Sequence, residues 1–286
     1  MKQFDRQYRF SANGFTVGET SRRQPTAMHI KFAVEKADTE APNSAKISLW
    51  NLSPEHLSIL NQKDCLVTLK AGYGGMMPLI FVGTISYIST ELEGADRKTE
   101  MEVVDGRVEL RDTFVTLSYS GKINSRKIIQ DIAGEMGITV TFSYNAVFYD
   151  FPNGFACVCS ARTALDKACT SSALQWQIQN GILQIKMRYD TMTREVFVLA
   201  ADSGLIGVPK KIMISPEGVM LDPDGSGDEE RPGYEAEYLL NGAIGIGDYV
   251  RLESKTAQGY FRIHSIVMDG DNLEGDWMCT ARLVEA

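Results

Sequence analysis

The chain opens in alternation. Residues 7–11 and 15–19 flank Asn13-Gly14, a pair that accepts the positive φ angles of a two-residue hairpin turn. Met28, Ile30, Phe32 and Val34 alternate with other side chains, and Ala45, Ile47 and Leu49 do so again within 44–50, so each stretch predicts a strand with one face on a core. Ser53 then offers a hydroxyl to the free amides of a first helical turn and Pro54 suits the first helical position. Leu57 and Leu60 give this small helix an apolar edge as far as about Asn61. Strands resume at 65–71, 79–89 and 98–105, between glycine-bearing turns at 72–75 and 93–94. Most are rich in Ile, Val, Phe, Tyr and Thr, and up to about residue 120 they predict a closed or strongly curved antiparallel unit, because closure removes exposed strand edges.

The middle of the chain changes period from two to 3.6. Ile128, Ile129, Ile132, Ala133 and Met136 share one helical stripe behind a capping Ser125, Gly137 ends it, and a strand at 138–144 follows. Ser160 opens a second helix at 161–172 with Leu165, Ala168 and Cys169 inward. Strands at 174–179 and 182–187 then flank Asn180-Gly181, a second hairpin signal. Helices this short are stabilised by docking their stripes, so both are expected against sheets. The last third returns to strands at 195–200, 249–254, 260–268 and 276–283, and Pro, Gly and acid gather in an exposed loop at 216–233. The fold class is therefore α+β and mainly β. A first β domain is expected at 1–120, inserted α/β modules at 121–188, and a second β domain with the acidic loop at 189–286.

Charge narrows the function. In 286 residues, 29 Lys and Arg face 37 Asp and Glu, a net charge of −8, which disfavours a surface built to grip phosphates. No run reaches the ~18–20 apolar residues of a membrane span, and residues 1–15 are too polar for a signal core, so synthesis in a cytoplasm and no membrane insertion are expected. Five scattered cysteines, an odd number, read as reduced and buried thiols.

Candidate chemistry is sparse. His29, His56 and His264 fall in a strand, a short helix and a strand, with no G-x-S-x-G signature nearby. Cys157, Cys159 and Cys169 lack a well-placed fourth zinc ligand. Asp222, Asp224, Asp228 and Glu230 match the early oxygen positions of a calcium loop, but Gly233 stands at its twelfth position and Pro223 and Pro232 interrupt it. These four are weak divalent-ion candidates. Residues 242–247 have phosphate-loop glycine spacing but lead into a strand, where such a loop needs a helix. Trp50, Trp176 and Trp277 lie in or beside strands, where packing accounts for them. No catalytic residue and no cofactor is expected.

The segment 43–54, NSAKISLWNLSP, resembles the strand-then-helix near the start of phage baseplate hub proteins. Residues 238–241, 246–254, 259–263 and 275–277 are similar to that family's closing strands in the same order, and 173–185 and 204–209 fit as well. The acidic stretch 216–237 has no counterpart. The resemblance is to the hub of contractile-tailed, Mu-like phages, related in fold to the hub portion of type VI secretion spikes. It implies two tube-like antiparallel β-barrel domains, with Ile47, Leu49 and Trp50 in the first and Leu239, Leu240, Tyr249, Arg251 and Trp277 in the second. It also implies a virion protein: a homotrimeric, pseudo-hexameric ring joining the hexameric tail tube protein to the trimeric central spike protein. Tape measure and baseplate wedge proteins would be neighbours, and DNA would be met only in transit. Three chains at −8 would carry −24, so an acidic lumen that repels DNA is expected. The alternatives are a glycan-binding β module of the tail tip and a tail-associated peptidoglycan hydrolase, the latter needing a cleft with paired carboxylates or a metal.

Overall fold

The computed structural model describes residues 5–18, 28–188, 190–214 and 231–285. They fall into two compact units, one from 1–39, 43–105 and 195–286, the other from 40–42 and 106–194.

The first unit opens with the hairpin β1 (Arg6–Ala12) and β2 (Phe15–Gly18), where Ala12 faces Phe15 and Asn13 and Gly14 take φ of 24° and 104°. Then come β3 (Ile30–Ala37), β4 (Ser44–Trp50), α1 (Pro54–Leu60), β5 (Leu66–Tyr73), β6 (Leu79–Glu93) and β7 (Asp96–Val104). The start of α1 follows from local chemistry, since the Ser53 hydroxyl accepts the His56 N–H at 3.2 Å and Pro54 occupies the first turn.

The second unit contains α2 (Arg107–Asp112), β8 (Phe114–Tyr119), β9 (Ile123–Asn124), α3 (Ser125–Met136), β10 (Thr139–Phe142) and β11 (Asp150–Phe151). It continues with β12 (Phe155–Ser160), α4 (Ala161–Thr170), β13 (Leu174–Gln179) and β14 (Ile182–Met187). Its core joins Ile128, Ile129 and Ile132 of α3 to Leu165, Trp176, Leu183 and Ile185. One cap differs from expectation. Asn124 accepts the Arg126 N–H at 3.0 Å, whereas Ser125 is the first helical residue and its buried hydroxyl lies 3.1 Å from that of Ser172. Gly137 ends α3 at φ 70°, Ser160 caps α4, and Asn180 and Gly181 turn the β13–β14 hairpin at φ 53° and 76°.

The chain then returns to the first unit as β15 (Val196–Ala200), β16 (Leu205–Ile214), β17 (Arg231–Leu239), β18 (Tyr249–Glu253), β19 (Gln258–Asp271) and β20 (Trp277–Glu285). Neither β16 nor most of β17 is expected from the pattern. Gly207 and Pro209 fall within β16, in a bulge between Ile206 and Lys210, where the missing N–H of a proline removes no ladder hydrogen bond. The end of the expected loop, 231–233, is strand, and its remainder at 216–230 lies outside the described residues.

The mainly-β class holds, but closure into two barrels does not. Among the described residues the hydrogen-bonded path β16-β17-β20-β19-β3-β4-β7-β6-β5-β1-β2, with β18 and β15 branching at β19, is open at both ends. The reason lies in β19. Its first part pairs with β18, and its second part crosses to β3, so the edge that closure would satisfy within each half is satisfied between the halves.

The pairing itself repeats. The order β3-β4-β7-β6-β5-β1 has the same connectivity as β16-β17-β20-β19-β18-β15, apart from the direction of the last strand. The long strands bulge at equivalent places, β6 between Ile85 and Tyr87 and β19 between Ile263 and Ser265. Single hydrogen bonds match too: Ile85 N–H to the Cys65 carbonyl and Ile263 N–H to the Asp248 carbonyl are both 3.0 Å, and Trp50 N–H to His29 matches Leu239 N–H to Gly204. One apolar core serves both halves, joining Phe32, Val34, Ile47 and Leu49 to Ile266, Met268 and Ala281.

At the seam, Gly270 of β19 faces Phe32 of β3, and a Cβ on Gly270 would lie 2.2 Å from the Phe32 ring. Gly270→Ala is expected to destabilise the chain by about 1–3 kcal/mol, read as a lower urea midpoint. Gly134→Ala, in α3 with open space around its Cβ, is expected to stabilise by roughly 0.5–1 kcal/mol.

Candidate functional site

Strand alternation gives the first unit's sheet one face on the core and one polar face. Along β3, β4 and β7 the core-facing residues are Phe32 and Val34, Ile47 and Leu49, and Met101 and Val103. The alternate residues form the other face: Lys31 and Glu35, Lys46 and Ser48, Lys98, Glu100 and Glu102. Register carries this face onto β6 through Glu91 and Glu93, onto β19 through Asp269 and Asp271, onto β20 through Arg282, and onto β17 through Glu235 and Glu237. Acids outnumber cations on it among the described residues.

Three lysines are held by that excess. Lys46 and Lys98 lie 2.9 and 3.2 Å from Glu100, and Lys210 of β16 lies 3.3 and 3.5 Å from Glu237 and Glu235. The Lys46 hydrogen bond, helped by Lys98, holds the Glu100 carboxyl below the usual carboxylate range against the opposing effect of burial. Asp269 moves the other way. Burial, then the nearby Asp276 and Glu35 carboxylates, push it up. At the end of β4 the Trp50 indole N–H donates to Glu93 at 2.8 Å, the His29 ring stacks on Trp50 at 3.8 Å, and His29 Nε2 lies 3.0 Å from Asp271. The excess of carboxylates makes this surface unfavourable for phosphate. Among the described residues no cluster of three or more His, Cys, Asp or Glu could hold a metal ion.

The residues singled out in the sequence divide between this face and the core. Ile47 and Leu49 are fully buried under β4, while Trp50 lies on the polar side at its end. Leu239 ends β17 half-buried, Leu240 follows it into the core, and Trp277 is buried at the start of β20. On β18, Arg251 is exposed and bonded to Glu253, with Val198 and the exposed Tyr260 directly opposite on its neighbours, and Tyr249 is half-buried. Asp222, Asp224, Asp228 and Glu230 lie outside the described residues. His56 stacks on Phe15, and His264 sits in the β19 bulge. All five thiols are free, and burial pushes Cys279 up to about 12. The turn at 242–247 leads into β18, and its Gly245 N–H donates to Asp248 at 2.8 Å, so its own carboxylate fills an anion's place. A cavity of about 610 Å³ lies beside the turn after β5, walled largely by apolar residues such as Met76, Pro78, Phe197, Leu199 and Leu240.

The sequence reading missed Lys210, Glu235 and Glu237 because their strands were not expected, and it did not assign Glu91 and Glu93 to this face. The signal that finds them is strand register, which shows acids on alternate positions of neighbouring strands.

Solved structures share this fold over nearly the whole chain. The 43 kDa tail protein of prophage MuSo2 from Shewanella oneidensis aligns with a TM-score of 0.67 at 9% identity, covering 98% of this chain and 97% of that one. A tail protein from Neisseria meningitidis gives 0.65 at 10% identity over 99% and 97%. A component of the E. coli type VI secretion system, described as structurally similar to the T4 tail proteins gp27 and gp5, gives 0.61 at 8% identity over 97% and 76%. No protein-family model and no curated protein matches the chain in sequence. The fold is thus one shared with phage tail proteins and a type VI secretion component, in line with the sequence resemblance.

The acidic face has a measurable consequence. Because the folded pKa of Asp269 lies above its unfolded value, its charge costs stability at neutral pH, and the cost disappears as pH falls toward the unfolded value. Asp269→Asn is expected to raise the melting temperature at pH 7, with solvent screening keeping the gain below about 1 kcal/mol, and to change nothing near pH 3. An equal gain at both pH values contradicts this reading of the face.

Proposed function

We propose that this chain is a structural hub subunit of a contractile phage tail baseplate, in which three copies form a ring between the hexameric tail tube and the trimeric central spike. The observation that carries the reading is the internal repeat: one chain holds two sheet halves of matching connectivity, so three chains offer six similar faces to a sixfold tube and three identical ones to a threefold spike. The likeness to tail proteins over 97–99% of each chain supports it.

In this ring the acidic face lines the channel. DNA passing it meets carboxylates on successive strands, which keep the polyanion from binding to the wall. Only sheet faces and edges are used, and no bond is made or broken. Spike, tube, tape measure and wedge proteins are the partners of this reading.

Native mass measurement on the full chain, alone and with its cognate spike and tube proteins, tests the proposal. A species of three 31.7 kDa chains, free or on the spike, is the expected result. A chain that stays monomeric and binds neither partner contradicts it.

A further inference from the structure

The seam between the two halves has a counterpart that a single chain leaves open. In β19, residues 258–262 pair with β18 and, beyond the bulge, 265–271 pair with β3, with Val267 opposite Glu35 and Asp269 opposite Ala33. In the repeat, β6 stands where β19 stands and β16 where β3 stands. Yet β6 pairs with β5 only as far as Thr84, so residues 87–93 have no strand on that side among the described residues. Among the described residues β16 likewise pairs with β17 alone. We infer that residues 87–93 of one copy pair antiparallel with β16 of a second copy, repeating between chains the seam that β19 and β3 make within one. The number of copies that close the ring rests on the hub reading, whereas the choice of edges rests on the repeat.

Three further observations agree. The first is charge. Carrying the seam's register over places Ser89 opposite Ile212 and Glu91 opposite Lys210, so the acidic end of β6 meets the Lys210-Lys211 pair. The second is exposure. Tyr87 and Leu92 are 57% and 77% exposed on β6, and Val208 and Met213 are 59% and 56% exposed on β16, while the closed seam buries Val34, Ile266 and Met268 almost completely. Long edges with exposed apolar side chains are templates for another strand. The third is a buried polar group. Thr84 occupies the repeat position of Arg262, whose ion-pair partner Asp38 comes from the chain just after β3. The Thr84 hydroxyl is buried and has no partner within its own chain among the described residues. Joining one edge to a different edge is a heterologous contact, which closes into a ring when its rotation repeats.

Cross-linking tests the inference. Full-length chain carrying Glu91→Cys with Lys210→Cys, and a second variant carrying Ser89→Cys with Ile212→Cys, are treated with a short bismaleimide under the conditions of the native mass measurement. Both are expected to give covalent products of two and three chains and none larger. A control with Glu91→Cys and Leu273→Cys, whose second site is an exposed turn, is expected to run as one chain on a denaturing gel. A threefold species that neither seam variant cross-links overturns the choice of edges and leaves the hub reading standing. Absence of any multi-chain species, with or without spike and tube, overturns both.

Discussion

Each β-strand carries a row of N–H and C=O groups on either side, and this architecture depends on where those rows find partners. The decisive case is β19. At fourteen residues it is too long for the five-residue β18, and the bulge at His264 turns its remainder onto β3, more than two hundred positions away in sequence. That pairing makes one sheet of both ends of the chain. Gly270 lets Phe32 pack across it, the buried Asp38–Arg262 ion pair fixes one end, and the apolar core continues beneath.

Once the seam is closed, the rest follows from alternation. A sheet with one face on a single core must present its other face to solvent, and here that face is acidic along strands from both halves. Lys46 sits against Glu100 and Lys210 against Glu237 on neighbouring strands. Equivalent sites in the repeat even exchange sign, since Lys46 opposite Glu102 corresponds to Glu235 opposite Arg282. What is preserved between the halves is backbone pairing and not side-chain identity.

Local structure was the legible part of the sequence. Asn13-Gly14 and Asn180-Gly181 turn hairpins because both residues of each pair tolerate positive φ, and Ser53-Pro54 opens α1 because that hydroxyl and that ring suit its first turn. The stripe of Ile128, Ile129 and Ile132 marked α3, with the cap displaced by one residue to Asn124. What alternation could not convey was partnership. Nothing local in 265–271 announces β3 as its neighbour, and the two closed barrels implied by the tail-protein resemblance were expected in place of that pairing. Strand β16 was hidden by Gly207 and Pro209, which are accommodated here because they fall in the bulge between Ile206 and Lys210. The acidic face stayed hidden with it, because its members are neighbours only through register. The tail-protein resemblance rested on strand segments that lie in this sheet, such as 43–54 and 246–254.

The central claim is that one repeated architecture contains a closed seam at β3–β19 and an open one at β6. Residue-resolved hydrogen exchange on the isolated chain tests it most directly, since it reads the protection of each amide. The account predicts that amides of 265–271 are protected on both sides of the strand. Over 87–93, only those bonded to β7 should be protected, and the alternate ones should exchange faster by orders of magnitude. Equal protection of the two segments in the single chain, or rapid exchange throughout 265–271, would contradict it.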